Sequence, residues 1–576
     1  MKKLINRPGS VVPEMIEGLV AIWPGLRKLP GHEVVVRAGL DAGAARPREV
    51  AVISGGGSGH EPAHAGYVGE GMLSAAVAGD VFTSPDPDSV LAAIQAVAGP
   101  AGAVLVVKNY TGDRLNFGLA AEMARAGGIP VEVVLVADDV ALRGSTGQTA
   151  GPRGLAGAVL VHKVAGAASA AGLSLLEVAA EARDAASNLA TMGVALSPCT
   201  VPAAGAPGFD LGPDEVELGL GIHGEPGVER RCIGPADDIV DLLLAPIVAE
   251  LALKPGDRIA LLVNNLGATP TMELAIVARH AISSLEATGL TIERVYAGTF
   301  LTALEMAGVS LTVLKLDDAR LARLDATTDA PAWPNQAALN RPRGHRDATP
   351  DPTPETAPAK ANPPTTPVGL ALERAIRAAA NSLIKDAPRL TELDRAVGDG
   401  DLGISLARGA NAVLEAMPTY PLDDPAATLH ALSVTLQRSL GGTSGPLYAV
   451  LALRAAARLK SATQDPKNIP LRTWSEAFEA GVEAIADLGG AAPGDRTMLD
   501  ALHPASQAFS DAIAAGNSAQ TAQKAAADAA QSGANSTATM PPRKGRSSYL
   551  GDRALGHPDP GAIAVATWMR AIAGIS

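Results

Sequence analysis

EVAVISGGGSGHEPAHAG, residues 49–66, begins as a short run of valine and isoleucine and ends in a glycine-rich turn. The run is bounded by turn residues and lacks helical spacing, so it reads as a strand buried on both faces. The glycines then strip side chains from the point where the strand stops. No Gly-Lys-Ser/Thr follows them, which excludes a phosphate-binding P-loop, and His60 stands where a dinucleotide fingerprint needs its third glycine. His60 also displaces the last glycine of a Gly-x-Ser-x-Gly nucleophile elbow. What remains is a strand end with bare amides, the Ser58 hydroxyl and an imidazole, a seat for a small oxygen-rich ligand.

Runs of the same kind recur at 102–110, 131–138, 257–267 and 311–316, and segments such as PDSVLAAIQAVAG (87–99) carry helical spacing between them. This alternation predicts an α/β region with largely parallel sheets, whose ligands gather at the carboxyl ends of strands. A second such strand runs into VKNYTGDRLNF (107–117), with Lys108 and Asp113 at its end. Asp113 there is a general base, the orienting partner of a histidine, or the cap of the next helix. In VELGLGIHGEPG (216–227), four glycines surround His223 and no bulky neighbour offers it packing. The spacing of Gly219, Gly221 and Gly224 matches a dinucleotide fingerprint formally, but acidic residues precede it and no helix begins after it.

The clearest boundary is compositional. Eight prolines fall between Pro342 and Pro367, with almost no bulky apolar residue. Such a segment cannot bury enough surface to fold and stiffens toward polyproline II. We read 331–367 as a semi-rigid linker between an α/β domain (1–330) and a second domain (368–576). In the second, the segments 369–385, 424–440, 447–460, 473–489 and 518–534 all have helical composition and period, which predicts an all-α bundle.

Composition narrows the function classes. At 576 residues the chain can bury real cores, and a 47% apolar content with only 3% aromatics predicts tight packing of alanine and small aliphatics. A net charge of −13 lacks the basic footprint that nucleic acids require, so no nucleic-acid partner is expected. Cys199 and Cys232 form no Cys-x-x-Cys pair, which excludes a disulfide framework and a thiolate metal site. Charge and proline interrupt the N-terminal segment before a secretion signal can form, and no window approaches ~18 uninterrupted apolar residues. A soluble, cytoplasmic protein without membrane contact is the expectation.

The polar interruptions of the second domain carry its chemistry. In DRAVGDGDLG, the carboxylates of Asp394, Asp399 and Asp401 repel one another unless a cation neutralises them, and magnesium prefers oxygen ligands of this kind. An EF-hand is excluded, since Ala410 stands where its twelfth-position glutamate belongs. GGTSG (441–445), ahead of a helix, presents amides and hydroxyls suited to phosphate. Lys544, Arg546 and Arg553 add the positive charge that polyphosphate needs. A metal–nucleotide domain joined to a small-polar-substrate domain points to phosphoryl transfer.

Together these motifs resemble one family, the single-chain ATP-dependent dihydroxyacetone (glycerone) kinases of glycerol metabolism. SGGGSGHEPAHAGYVGEGM, VKNYTGDRLNF, RGLAGAVLVHKVAGAAS and GLGIHGEPG are similar to the family's substrate-binding K domain, with two α/β lobes. VGDGDLG, GGTSGPLY, APGDRTMLD and RKGRSSYLGDRALGHPDPGA are similar to its nucleotide-binding L domain, a helical barrel. The resemblance spans nearly the whole chain outside the linker. It implies a phosphotransferase with an alcohol group as acceptor.

The resemblance further implies that His223 binds the ketone of dihydroxyacetone as a covalent hemiaminal, which rejects glycerol. His60 and Asp113 would act on the terminal hydroxyl, and Gly57, Ser58, Gly59 and Lys108 would hold the substrate. Asp394, Asp399 and Asp401 would bind two Mg2+ ions on ATP. Leu402, Gly403, Thr443, Ser444, Gly489, Met498, Arg546, Asp559, Pro560 and Gly561 would line the nucleotide pocket. Phosphotransferase-coupled relatives carry a histidine where Leu402 stands and keep their nucleotide fixed, so Leu402 implies freely exchanging ATP. A homodimer, with domains exchanged between chains, is also implied. The alternatives are a kinase of four-carbon ketoses such as erythrulose, an FAD-cleaving FMN cyclase activity as in animal members, and a hydrolase using Ser58, His60 and Asp113.

Overall fold

The computed structural model describes residues 2–575 except 41–48, 144–150, 226, 336, 340–360, 399, 441–443, 463–464, 466–467, 545–546 and 549–553. The chain divides into two compact units, Met1–Arg343 and Gly344–Ser576.

The first unit holds two six-stranded sheets. One comprises β1 (Leu26–Lys28), β2 (Val34–Arg37), β3 (Ala51–Ser58), β4 (Ala75–Val81), β5 (Ala103–Lys108) and β6 (Val131–Val136), in the order β1-β2-β4-β3-β5-β6. Its strands β4, β3, β5 and β6 run parallel, with β1 and β2 antiparallel at one edge. Every residue of β3 and β5 is buried, which is why neither shows polar alternation. The other sheet comprises β7 (Leu189–Ala195), β8 (Glu215–Leu218), β9 (Glu229–Cys232), β10 (Arg258–Asn265), β11 (Thr291–Gly298) and β12 (Gly308–Leu316), in the order β11-β10-β12-β7-β8-β9.

Here the expectation of largely parallel sheets fails. Only β10 and β11 pair parallel, and every other pairing is antiparallel. The strand LTVLKL, extended to β12, follows β11 after the loop 299–307, which is too short for the crossover of a dozen or more residues that a parallel return requires.

The helices of this unit are α1 (Val11–Ile22), α2 (Pro87–Val97), α3 (Thr111–Ala126), α4 (Ala158–Ala170), α5 (Leu175–Ser187), α6 (Ala236–Glu250), α7 (Thr271–Ala287) and α8 (Asp318–Asp325). In α4, residues 158–169 are all buried, as the apolar composition around its whole circumference requires. A Cβ at Gly166 would lie 2.2 Å from the Met72 Cα, so the helix rests directly on another backbone. Val159 and Leu160 of α4 share one core with Val52 and Val104 of the first sheet and with Leu262 and Leu314 of the second. That shared core lets loops from both sheets build one site.

Trp333, assigned to the linker by composition, packs into this core, its ring 4.7 Å from that of Tyr296. The folded unit therefore extends past residue 330. Trp333→Ala is expected to destabilise the unit by about 3–5 kcal/mol, seen as a lowered thermal midpoint by calorimetry.

The second unit is all helical: α9 (Pro367–Val397), α10 (Leu402–Ala416), α11 (Pro425–Ser439), α12 (Ser444–Ala462), α13 (Leu471–Gly489), α14 (Leu499–Ala514), α15 (Ala519–Ser536) and α16 (Pro560–Ala573). Each packs on the next and α16 returns to α9, closing a ring. α9 starts at Pro367 because the Thr366 hydroxyl caps the Gly369 amide at 3.0 Å and Asp423 takes the Thr365 and Thr366 amides. It runs on to Val397, so Asp394, read as part of an interhelical loop, lies on its last turn. The ring surrounds an apolar pocket of about 660 Å³, partly open to solvent and lined by Leu372, Leu406, Leu451, Trp474 and Trp568. No helix among the described residues is long and apolar enough to cross a membrane.

Candidate active site

The carboxyl ends of β3 and β5 lie side by side in the first sheet. Gly56 has φ +153°, and a Cβ there would lie 3.0 Å from the Lys108 Nζ and 3.6 Å from an Asp113 oxygen. Glycine is thus what lets Lys108, from the end of β5, and Asp113, from the first turn of α3, meet over the strand end. Both side chains are buried, and neither the Lys108 Nζ nor the Asp113 Oδ1 has a hydrogen-bond partner among the described residues. Burial pushes the Lys108 ammonium below its ordinary pKa, while Asp113, Glu225, Glu61 and Asp138 pull the other way.

His60 completes this corner. Its Nδ1 lies 2.7 Å from the Thr302 carbonyl, which can only accept, so Nδ1 carries the proton and Nε2 is a bare acceptor. That Nε2 is buried without a partner. Desolvation first, then the Lys108 and His223 charges, hold the His60 pKa well below 6.5, so the ring is neutral at physiological pH. Phe82 stacks on it with 5.1 Å between ring centroids, and His223 meets it edge-on at 4.9 Å. The loop after β8 carries His223, whose ring is also edged by Tyr110 at 4.5 Å and Phe82 at 5.3 Å. Glu225 accepts the His223 amide at 2.8 Å and approaches its Nδ1 at 3.2 Å.

The structure therefore gathers His60, Lys108, Asp113 and His223 in one corner. Ser58 behaves differently: its hydroxyl donates to the Gly79 carbonyl at 2.7 Å. A hydroxyl tied there is not activated by His60, which speaks against a Ser58 hydrolase. Gly57 and Gly59 make room for the segment carrying Phe82, since their Cβ atoms would lie 2.6 Å from the Thr83 amide and 2.8 Å from the Phe82 ring.

Glu225 and Tyr110 sit inside the motifs read from sequence, yet only tertiary contact marks them. Arg153 likewise opens the quoted motif RGLAGAVLVHKVAGAAS, while Phe82 carries no sequence signal of its own. Arg153 bonds Asp139 at 2.6 Å and the Gly219 carbonyl at 2.8 Å, pinning the loop that leads to His223.

In the helical unit, the Asp394 carboxylate accepts the amides of Asp401 and Leu402 at 3.0 and 3.2 Å, capping α10 from the end of α9. Asp559 caps α16 through the Ala562 amide, with Pro560 as the first residue of that helix. Desolvation pushes the Asp559 carboxyl up to about 6, with Asp500 and Asp394 adding to the rise against the pull of the Ala562 amide and Arg496. A Cβ at Gly561 would lie 3.7 Å from that of Met498, so these two are neighbours. Ser444 opens α12, and Gly489 closes α13. Leu402 is half-buried against the bundle core. Gly403 has a packing reason of its own: a Cβ there would lie 2.1 Å from the Ala387 carbonyl oxygen of α9. Asp399, Thr443, Arg546 and Arg553 lie outside the described residues.

Residues 17–332 match the Dak1 domain family and residues 396–574 the DAK2 domain family. The triokinase/FMN cyclase of Homo sapiens is 45% identical over 99% of this chain and 98% of its own. The dihydroxyacetone kinase of Citrobacter freundii is 38% identical over 99% of this chain and 98% of its own. The crystal structure of the C. freundii enzyme with AMP-PNP and Mg2+ superposes with a TM-score of 0.59 at 36% identity, covering 99% of each chain.

Proposed function

Because the chain belongs to the dihydroxyacetone kinase family and is a kinase, we propose that it moves the γ-phosphoryl group of ATP to the terminal hydroxyl of dihydroxyacetone, and to other short ketoses or glyceraldehyde. The observation that carries this reading is the gathering of a bare His60 Nε2, Asp113, Lys108 and His223 in one corner at the strand ends. The wall contains a ring nucleophile for a carbonyl and two proton acceptors for a hydroxyl. His223 adds to the ketone, which fixes the substrate before transfer. Asp113 takes the proton of the attacking hydroxyl, with His60 as its neutral neighbour. Lys108 offers its ammonium to the substrate oxygens across Gly56.

The helical unit supplies the donor chemistry. Its candidate cation ligands stand at one helix junction, where the Asp394 carboxylate accepts the Asp401 amide. Asp394 and Asp401, with Asp399, would hold Mg2+, which would supply charge neutralisation during transfer. The homologous complex with AMP-PNP and Mg2+ supports ATP and Mg2+ as the donor pair.

A coupled ADP-release assay with dihydroxyacetone, glyceraldehyde, erythrulose and glycerol tests the reading. Turnover of the carbonyl substrates and none of glycerol is expected. Equal turnover of glycerol would overturn covalent capture, and no turnover of any carbonyl substrate would overturn the substrate assignment.

A further inference from the structure

We propose that Glu225 is a positioning residue that fixes the tautomer of His223, holding the ring proton on Nδ1 and leaving the Nε2 lone pair free for a carbonyl carbon. The inference rests on the ketose-kinase reading and deepens it at one atom. Its geometry is a two-point grip. One Glu225 oxygen accepts the His223 backbone amide at 2.8 Å, and the other lies 3.2 Å from Nδ1. A carboxylate only accepts, so Nδ1 must donate. The rest of the ring is edged by Phe82, Tyr110 and His60.

The loop is shaped for this grip. A Cβ at Gly221 would lie 2.3 Å from a Glu225 oxygen and 2.8 Å from the Arg153 Nη1, so only glycine lets the carboxylate fold back beside Arg153. Burial works against a charged Glu225, but the bonds from His223 prevail and hold its pKa at about 2. Gly221 therefore has a job of its own, room for the carboxylate that orients His223.

The chemistry balances without an oxidant or reductant. The Nε2 pair forms a bond to the carbonyl carbon as the C=O π pair moves onto oxygen. The alkoxide takes a proton from water, while Glu225 stays ionised and keeps its hydrogen bond to the imidazolium Nδ1–H. The hydroxide so formed takes the Nδ1 proton, so an N–H has added across C=O.

Glu225→Gln distinguishes this role from mere support of the loop. The His223 amide can only donate, so the glutamine oxygen must face it. Its NH2 then faces Nδ1 and drives the ring proton onto Nε2. In the full-length enzyme labelled with 15N-histidine, with His223→Ala identifying the signal, wild-type His223 should show the Nδ1–H pattern and E225Q the Nε2–H pattern. Bound [2-13C]dihydroxyacetone should give a tetrahedral-carbon signal with wild type and lose it with E225Q. A wrong-tautomer substitution of this kind should lower kcat/KM by ~10²-fold or more, mainly through KM. An Nε2–H pattern in wild type overturns the proposal without any variant. No tetrahedral carbon in wild type overturns covalent capture itself. A tetrahedral carbon in wild type that persists in E225Q with unchanged KM overturns only the role of Glu225.

Discussion

Asp113→Asn should lower kcat for ATP-dependent phosphorylation of dihydroxyacetone by about 10²–10⁴-fold, the usual worth of a general base. The side chain keeps its shape but can no longer take a proton. Asp113 is 2% exposed and packed beside Lys108 over Gly56, so water cannot readily replace it as acceptor. KM for the ketose should change little, because His223 and Lys108 remain. Stability should change little as well. Burial already lowers the Lys108 pKa, and loss of the Asp113 charge lowers it further, so Lys108 can shed its proton rather than stay buried and unpaired. Steady-state ADP release at saturating ATP and Mg2+ is the measurement. A kcat within tenfold of wild type would remove Asp113 from the role of base.

His223→Ala should have an effect of similar size but a different signature. On the proposed covalent capture it removes the bond to the ketone, so kcat/KM for dihydroxyacetone should fall by roughly 10³-fold, with a large share in KM. Discrimination between dihydroxyacetone and glycerol should collapse at the same time, since only a nucleophile at the carbonyl tells them apart strongly. A variant that still prefers dihydroxyacetone with near wild-type KM would show that recognition lies elsewhere in the site. The fold should survive, because the His223 ring is edged by aromatic neighbours and is not part of either sheet's core.

Much of the site is legible in the residues alone. GGGSGHEP, KNYTGD and GIHGEPG announce His60, Lys108, Asp113 and His223 because glycines and polar residues at a strand end have no packing role to explain them. Ser58 stands out in the same way, yet its hydroxyl serves the Gly79 carbonyl. Gly403 does too, and its bareness answers to the backbone of α9. A glycine records that something comes close without saying what comes. In the helical unit, Asp394 reads as a loop residue because glycines follow it, whereas the helical hydrogen bonding of α9 continues past it to Val397.

The sequence by itself determined the elements with strong local patterns: the buried strands β3, β5 and β10, the partly buried β6, the helices of the second unit, and the split between an α/β and an all-α part. Burial on one face or all faces is written into local residue spacing, and that information needs no partner. Tertiary structure alone decided strand direction in the second sheet, where β9 is fully exposed and carries no apolar pattern to read. It alone decided which nitrogen of His60 is free, because the carbonyl that sets it belongs to Thr302, 242 residues away. It also decided that Glu225 reaches under His223 through the space left by Gly221. Those contacts depend on how the two sheets close around α4, and spacing along the chain does not encode that closure.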